Sequence, residues 1–265
     1  MPIYMDRHDV SEEVTAENVA QLHNEDLKVQ HKFGSKGLTY WFDDKRKTAF
    51  CLVEAPSKEA MIAMHDYAHG KLPHRIIEVD KAVVESFLGR IEDPEKSQNT
   101  ELNIINDPAF RSIMAIKLPF HFLEKTKLHS LNIILETFKK SLIEIIIESS
   151  GRIVNQKSDG LLISFTSVSN AIFCALNILK EYNQIIDKYG LQTNELNIGI
   201  SAGVPVTGKT SFFEKAIKSA KRMCETGVAQ IVVSSEVKDL YESENLNQVI
   251  DSQNIYTLTS QDALF

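Results

Sequence analysis

The stretch 38-LTYWFDDKRKTAFCLVEAPSKEAMIAMHDYAHG-70 decides the architecture of the first part of this 265-residue chain. LTYWF (38–42) and TAFCLVE (48–54) are rich in β-branched and aromatic residues, and the polar run Asp43–Lys47 between them is a hairpin signal. Ser57 caps the helix that follows, and Gly70 and Pro73 stop it. Upstream, Pro2 to His8 alternates as a strand, and Thr15 to Lys32 sets Val19, Ala20, Leu22, Leu27 and Val29 on a helical period, with Thr15 as N-cap and Gly34 and Gly37 past the end. Downstream, RIIEV (75–79) reads as a last strand and AVVESFL as a short closing helix. The order β-α-β-β-α-β predicts a ferredoxin-like sandwich.

Ile91 to Ala109 is polar, lacks a sustained period and contains two Asp-Pro steps, so it reads as a linker. The expected division is a domain over 1–93, a linker over 94–109 and a second domain over 110–265. That second domain begins with SIMAIKLPF, then shows a long helix from about Lys125 to Ser149 and a hairpin over Gly151–Phe165. A helix (Val168–Tyr189), a strand (196–203), a helix (Phe212–Cys224) and a strand (230–234) complete it. Both domains are predicted to be α+β.

Composition narrows the function classes. The chain is 43% hydrophobic and 25% charged, ordinary for a globular protein. Its net charge of −7 and the lack of any dense Lys/Arg run argue against nucleic acid as a partner. Cys51, Cys174 and Cys224 are too few and too scattered for a disulfide framework or a Cys-x-x-Cys metal site, which points to a reducing compartment. With neither a signal-peptide pattern nor an apolar run of membrane-spanning length, the expectation is a soluble cytoplasmic protein with no membrane partner.

Histidine is distributed unevenly. Six of the eight (His8, His23, His31, His65, His69 and His74) fall in the first 74 residues. In a β-α-β-β-α-β sandwich the end of the first strand, the early turns of the first helix, the end of the second helix and the start of the last strand lie at one pole. His8, His23, His65, His69 and His74 therefore converge as candidate metal ligands, whereas His31 lies near the far end of its helix. His65 and His69 are i and i+4 on one helix face, a spacing that lets two imidazoles reach one ion. Asp6 shares a strand face with His8 and is placed to accept an imidazole N–H behind the metal. Nitrogen donors without a thiolate suit nickel, copper, zinc or cobalt, and the affinity order does not choose among them. The competing reading makes each of these an ordinary core or surface histidine. Tyr40, Trp41 and Phe42 are either packed core or the lining of a ligand pocket or dimer face.

The runs MPIYMDRH, TYWFDDKRKTAFCLVEAPSKEAMIAMHDYAHG and PHRIIEV resemble a family of small bacterial nickel-binding proteins with a ferredoxin-like fold. That resemblance spans residues 1 to about 93 and implies metal binding, with nickel as the ion, and a homodimer.

In the second domain, Gly203–Thr210 matches the letters of a phosphate-binding G-x-x-x-x-G-K-[ST] loop, but the chain beyond it is too short for the sheet such a loop requires. The runs GRIVNQKSDGLLISFTSVSNAIFCAL, LNIGISAGVPVTG and FFEKAIKSAKRMCETGVAQIVVSSEV instead resemble the class III adenylate/guanylate cyclase catalytic domain over about residues 110–240. Asp159 matches that family's hairpin aspartate and Arg222 its late-helix arginine. The departures carry more weight. The first strand reads AIKLPF where a metal-binding aspartate is expected, Ser158 replaces a glycine, Lys218 replaces the late-helix asparagine, and Asn155 stands where many cyclases have a purine-selecting lysine. Two-metal phosphoryl chemistry needs both carboxylates, so the resemblance implies a silent dimerisation or ligand-binding domain in which Asp159 and Arg222 are remnants. Two alternatives remain open: an active cyclase regulated by the metal-binding domain, and a ferredoxin-like pocket for heme or a small aromatic ligand.

Overall fold

The computed structural model describes the chain except residues 96–101, 119–128, 158–159, 191–195, 208–210, 227–229, 245–254 and 259–265. It divides into two compact units, one of Met1–Phe110 with Val204–Glu214 and the other of Arg111–Gly203 with Lys215–Phe265.

The first unit contains β1 (Ile3–Asp9), α1 (Ala16–Val29), β2 (Lys36–Asp43), β3 (Thr48–Glu54), α2 (Lys58–His69), β4 (Arg75–Val79) and α3 (Lys81–Leu88). The sheet order is β2-β3-β1-β4 with every neighbour antiparallel, the ferredoxin-like arrangement that the element order predicts. Local chemistry sets the helix ends. Thr15 and Asn18 form a reciprocal capping box at α1, Ser57 caps α2, and Gly70 closes α2 in the left-handed conformation at φ 67°.

Strand alternation divides the side chains between two faces. Tyr40, Phe42, Ala49, Cys51 and Val53 pack with Val19 and Ala20 of α1 and Met61 and Met64 of α2 in one buried cluster. Tyr40 and Trp41 are fully buried and Phe42 nearly so, which makes this aromatic run core. The Arg90 guanidinium lies over the Trp41 ring, 4.3 Å from its centre. Beyond α3, Tyr40 Oη donates to the Asn103 carbonyl (2.8 Å) and accepts the Ile105 N–H (2.9 Å). Residues 102–105 are thereby tied to the first unit's core, where Ile105 is buried.

The second unit has a six-stranded sheet of order β10-β9-β8-β5-β7-β6. Its strands are β5 (Arg111–Lys117), β6 (Arg152–Lys157), β7 (Gly160–Phe165), β8 (Asn197–Gly203), β9 (Ile231–Ser234) and β10 (Ile255–Leu258), and its helices are α4 (His129–Glu148), α5 (Val168–Tyr189), α6 (Glu214–Glu225) and α7 (Ser235–Glu244). The β6–β7 hairpin and the central β5 are antiparallel to their neighbours, whereas β8, β9 and β10 run parallel. Ile113, Met114, Ile163, Ala171, Cys174, Ala175 and Ile200 are completely buried. No described helix is long and apolar enough to cross a membrane.

Candidate metal centre

β1 delivers Asp6 and His8 to the helix-facing side of the sheet, and the antiparallel register with β3 (Met5 opposite Leu52, His8 opposite Ala49) brings Cys51 beside them. At this point the Cys51 N–H donates to Asp6 Oδ1 at 2.7 Å, so the carboxylate is anchored by the neighbouring strand's backbone. From the helix layer, Met61, Met64 and His65 form the buried stripe of α2, and His69 follows one turn after His65. Val19, Ala20, His23 and Asp26 form the buried stripe of α1.

These elements converge on His65, which is 1% exposed. Its Nδ1 lies 3.0 Å from Asp26, and its Nε2 lies 2.9 Å from Asp6 Oδ2. The Asp6 oxygen sits off the ring N–H axis, so Nε2 makes a charge contact there without a directed hydrogen bond. His8 Nε2 donates to the same Asp6 Oδ2 at 3.1 Å, and its ring meets that of His65 edge-on, 5.6 Å between centres. His69 Nε2 lies 3.3 Å from Asp26 Oδ1, while its Nδ1 accepts the Lys71 N–H at 3.1 Å.

Burial opposes charge on His65, Asp6 and Asp26, and the pairing of opposite charges overrides it there. His65 is desolvated, yet the Asp26 and Asp6 carboxylates raise its pKa to about 10. Asp6 is likewise desolvated, but His8 and His65 hold it well below the carboxylate range, and His65 and His69 lower Asp26. Burial pushes the Cys51 thiol up, and the Asp6 and Asp26 charges push it further.

Two donor groups result, each with its ligand atoms within 4.8 Å of one another: Asp6, His8, Cys51 and His65, and Asp26, His65 and His69. Imidazole, carboxylate and thiolate together suit a borderline transition metal. The buried Nε2 of His65, without a directed partner, fits a metal ligand, so the residues present fit such an ion. Asp6, His8, Cys51 and His65 would hold it, Asp26 would orient His65 through Nδ1, and the ion would supply a divalent charge to offset the buried carboxylates.

His8, His65 and His69 lie together with Asp6, which the sequence reading placed behind the metal and which here offers an oxygen to a donor group itself. His23 and His74 line the same cavity, of about 600 Å³, but belong to neither donor group. His23 Nε2 instead donates to Asp93 Oδ2 at 3.1 Å, and His74 Nδ1 accepts the Asp9 N–H at 3.1 Å. Sequence reasoning named neither Cys51 nor Asp26, and it expected no thiolate. Both carried a signal: Cys51 is two residues from Ala49 and from Val53 on the inward phase of β3, and Asp26 is three residues after His23 on the buried stripe of α1. In the second unit, Asp159 and Ser158 lie outside the described residues, as do residues 208–210 of the loop-like motif. Arg222 is exposed on α6, Lys117 ends β5, and Asn155 is exposed on β6.

A ferredoxin-like domain that encloses a histidine, carboxylate and thiol cluster at one pole is the class that this fold and site define. Residues 4–79 match the model of the SCO4226-like family, described as nickel responsive protein SCO4226-like, and over this segment the chain belongs to that family. The crystal structure of SCO4226 from Streptomyces coelicolor A3(2) is 32% identical over 29% of this chain and 94% of its own, with a TM-score of 0.28. Solved nucleotide cyclases are also similar. The adenylyl cyclase CyaB from P. aeruginosa is 14% identical over 51% of this chain and 81% of its own (TM-score 0.43), and an adenylate/guanylate cyclase/hydrolase from Silicibacter pomeroyi is 23% identical over 53% and 82% (TM-score 0.42). No curated protein matches the chain.

Proposed function

We propose that this protein binds nickel, or a closely related divalent transition metal, in its first unit, and that the second unit is a catalytically silent dimerisation or ligand-binding module. The observation that carries the reading is His65, buried to 1% exposure between Asp6 and Asp26, with Nε2 lacking a directed hydrogen bond inside a group that includes His8 and Cys51. An imidazole in that setting is either a buried cation clamped by two carboxylates or a ligand, and the adjacent thiol and second imidazole favour the ligand. Membership of the nickel responsive family over residues 4–79 supports nickel as the ion. The reading includes a homodimer in the cytoplasm; three free, buried cysteines agree with a reducing compartment.

The deciding experiment is calorimetric titration of nickel(II) into the full, tag-free chain, with metal content checked by elemental analysis. Saturable binding that His65→Ala removes is expected. Unchanged binding in that variant would refute the site. For the second unit, silence is supported by Lys117 at the end of β5, where the cyclase resemblance calls for a carboxylate, and by the exposed Arg222. Assay with manganese and ATP or GTP is expected to yield no cyclic nucleotide, and sustained turnover would overturn the claim.

A second reading has a specific observation behind it. The cavity beside the imidazoles, about 600 Å³, exceeds what one ion fills, and Val10, Val14, Leu22 and Leu72 give it apolar walls. It would admit a small aromatic ligand, detected as an absorbance band in the purified protein.

A further inference from the structure

The donor group of the first unit lies at the buried side of the cavity of about 600 Å³: His8, Cys51 and His65 belong to the cavity wall, and Asp6, which is fully buried, stands behind them. An ion arriving from solvent therefore reaches these donors through the cavity. Val10, Val14, Leu22 and Leu72 offer no ligand atom along the way. Nickel prefers imidazole to a lone carboxylate such as Glu25, so the remaining wall histidines are the groups to compare. Their hydrogen bonds fix which nitrogens carry a lone pair. His69 is engaged at both nitrogens, Nδ1 with the Lys71 N–H and Nε2 with Asp26. His74 Nδ1 accepts the Asp9 N–H at 3.1 Å, which leaves the ring proton on Nε2 and no lone pair to offer. His23 has the opposite tautomer. Its Nε2 donates to Asp93 Oδ2 at 3.1 Å, so Nδ1 carries the lone pair, and among the described residues Nδ1 has no partner. A ring N–H held by a carboxylate is the usual support of an imidazole that ligates a metal. α1 also sets His23 one turn before Asp26, the carboxylate paired with His65 Nδ1.

His23 nevertheless belongs to neither donor group, so it is not a resident ligand. We propose that His23 Nδ1 is the entry ligand of the metal centre: it captures the divalent ion in the cavity and yields it to His8, Cys51 and His65. This role rests on nickel binding by the first unit. Capture at the wall raises the effective concentration of the ion beside the buried donors. His23 speeds release by the same factor, because a group touched only in transit leaves the free energies of both end states unchanged. Asp93 is then a positioning residue, which holds the His23 tautomer with its lone pair on Nδ1.

The test is a pulse–chase on the full, tag-free chain. Protein is mixed with nickel(II), unbound ion is trapped at set times by an excess of a chromophoric chelator, and release from loaded protein into the same chelator is followed separately. His23→Gln, whose amide N–H still donates to Asp93, is expected to slow uptake and release alike by at least about fivefold and to keep Kd within about threefold of the parent. His74→Gln is expected to match the parent in both rates. Thermal unfolding monitors the fold, and His23→Asn takes the place of the glutamine variant if that one unfolds early. Parent-like rates in the folded His23 variant, or equal slowing in His74→Gln, would overturn the entry role while leaving the metal centre in place. Faster release with Kd weakened at least about tenfold would also overturn it, because His23 would then be a resident ligand. Absence of nickel binding by the parent refutes the metal centre itself, and the entry role with it.

Discussion

His65 and Asp6 form a buried ion pair, Nε2 to Oδ2 at 2.9 Å, in which neither side chain is more than 1% exposed. The pair makes the stability of the metal-free protein depend on pH in a definite direction. The folded pKa of His65 is raised from 6.5 to about 10, so its contribution is complete below about pH 6.5 and is lost as pH rises towards 10. Asp6 and Asp26 are depressed from 3.8, so their contributions are complete above that value and are lost as pH falls below it. Urea unfolding of EDTA-treated protein is therefore expected to show maximum stability between about pH 4 and 6.5 and a decline on the order of a few kcal/mol by pH 10. A flat profile from pH 6 to 10 would contradict a protonated His65 in the metal-free state.

Cys51 supplies the only sulfur in either donor group. Burial and the neighbouring carboxylates raise the thiol's pKa, so it is protonated in the metal-free protein and becomes a ligand only when an ion displaces its proton. Nickel binding by the parent should thus release protons and produce a sulfur-to-metal charge-transfer band in the near ultraviolet. Cys51→Ser is expected to lose the band and to weaken nickel at least about tenfold, or 1.4 kcal/mol, while keeping the fold. Retention of the band in that variant would exclude the thiolate.

The sequence made the first unit legible because its signals agree at every level. The Thr15 and Ser57 caps, the Asp43–Lys47 turn and the strand alternation all point to one topology. The expected pole followed from that topology, and His8, His65, His69 and Asp6 lie near one another there. What remained illegible was pairing. Whether an imidazole turns into the cluster or towards another partner depends on side-chain contacts far apart in the chain, such as His23 with Asp93, seventy positions away. Cys51 was hidden for a different reason. A cysteine inside an apolar strand resembles core, and only the β1–β3 register sets it beside Asp6.

Gly199 offers a test of the second unit's packing. A Cβ at this position would fall on the Ala220 carbonyl oxygen and within 2.9 Å of the Cys224 amide, both part of the α6 backbone, which cannot yield as a flexible side chain would. Gly199→Ala should cost about 1–3 kcal/mol, read as a lower midpoint in the unfolding transition of this unit. Gly70→Ala acts elsewhere and differently. No atom lies within 4 Å of its added methyl, and only the positive φ of 67° opposes it, so a cost of about 1 kcal/mol is expected. Equal costs at the two positions would show that the close approach of α6 to β8 is not the controlling feature.

His23 and Asp93 separate structural from metal-binding roles at the same cavity. The His23 ring is 6% exposed, leans on Tyr40 with 5.0 Å between ring centres, and pairs with Asp93 through Nε2. The Asp93 carboxyl is desolvated by burial but is held below its ordinary pKa by His23, with Thr39 and Arg90 contributing. Its Oδ1 is buried without a hydrogen bond, so the pair is already under-satisfied. Replacing His23 by Leu strands the Asp93 charge as well, and a loss of about 2–3 kcal/mol is expected on chemical unfolding. Because His23 stands outside both donor groups, nickel affinity of the folded variant should stay within about threefold of the parent, against at least tenfold for His65→Ala. If His23→Leu instead weakens nickel as strongly as His65→Ala does, the imidazole turns from Asp93 to the metal on binding, and the ligand set includes it after all.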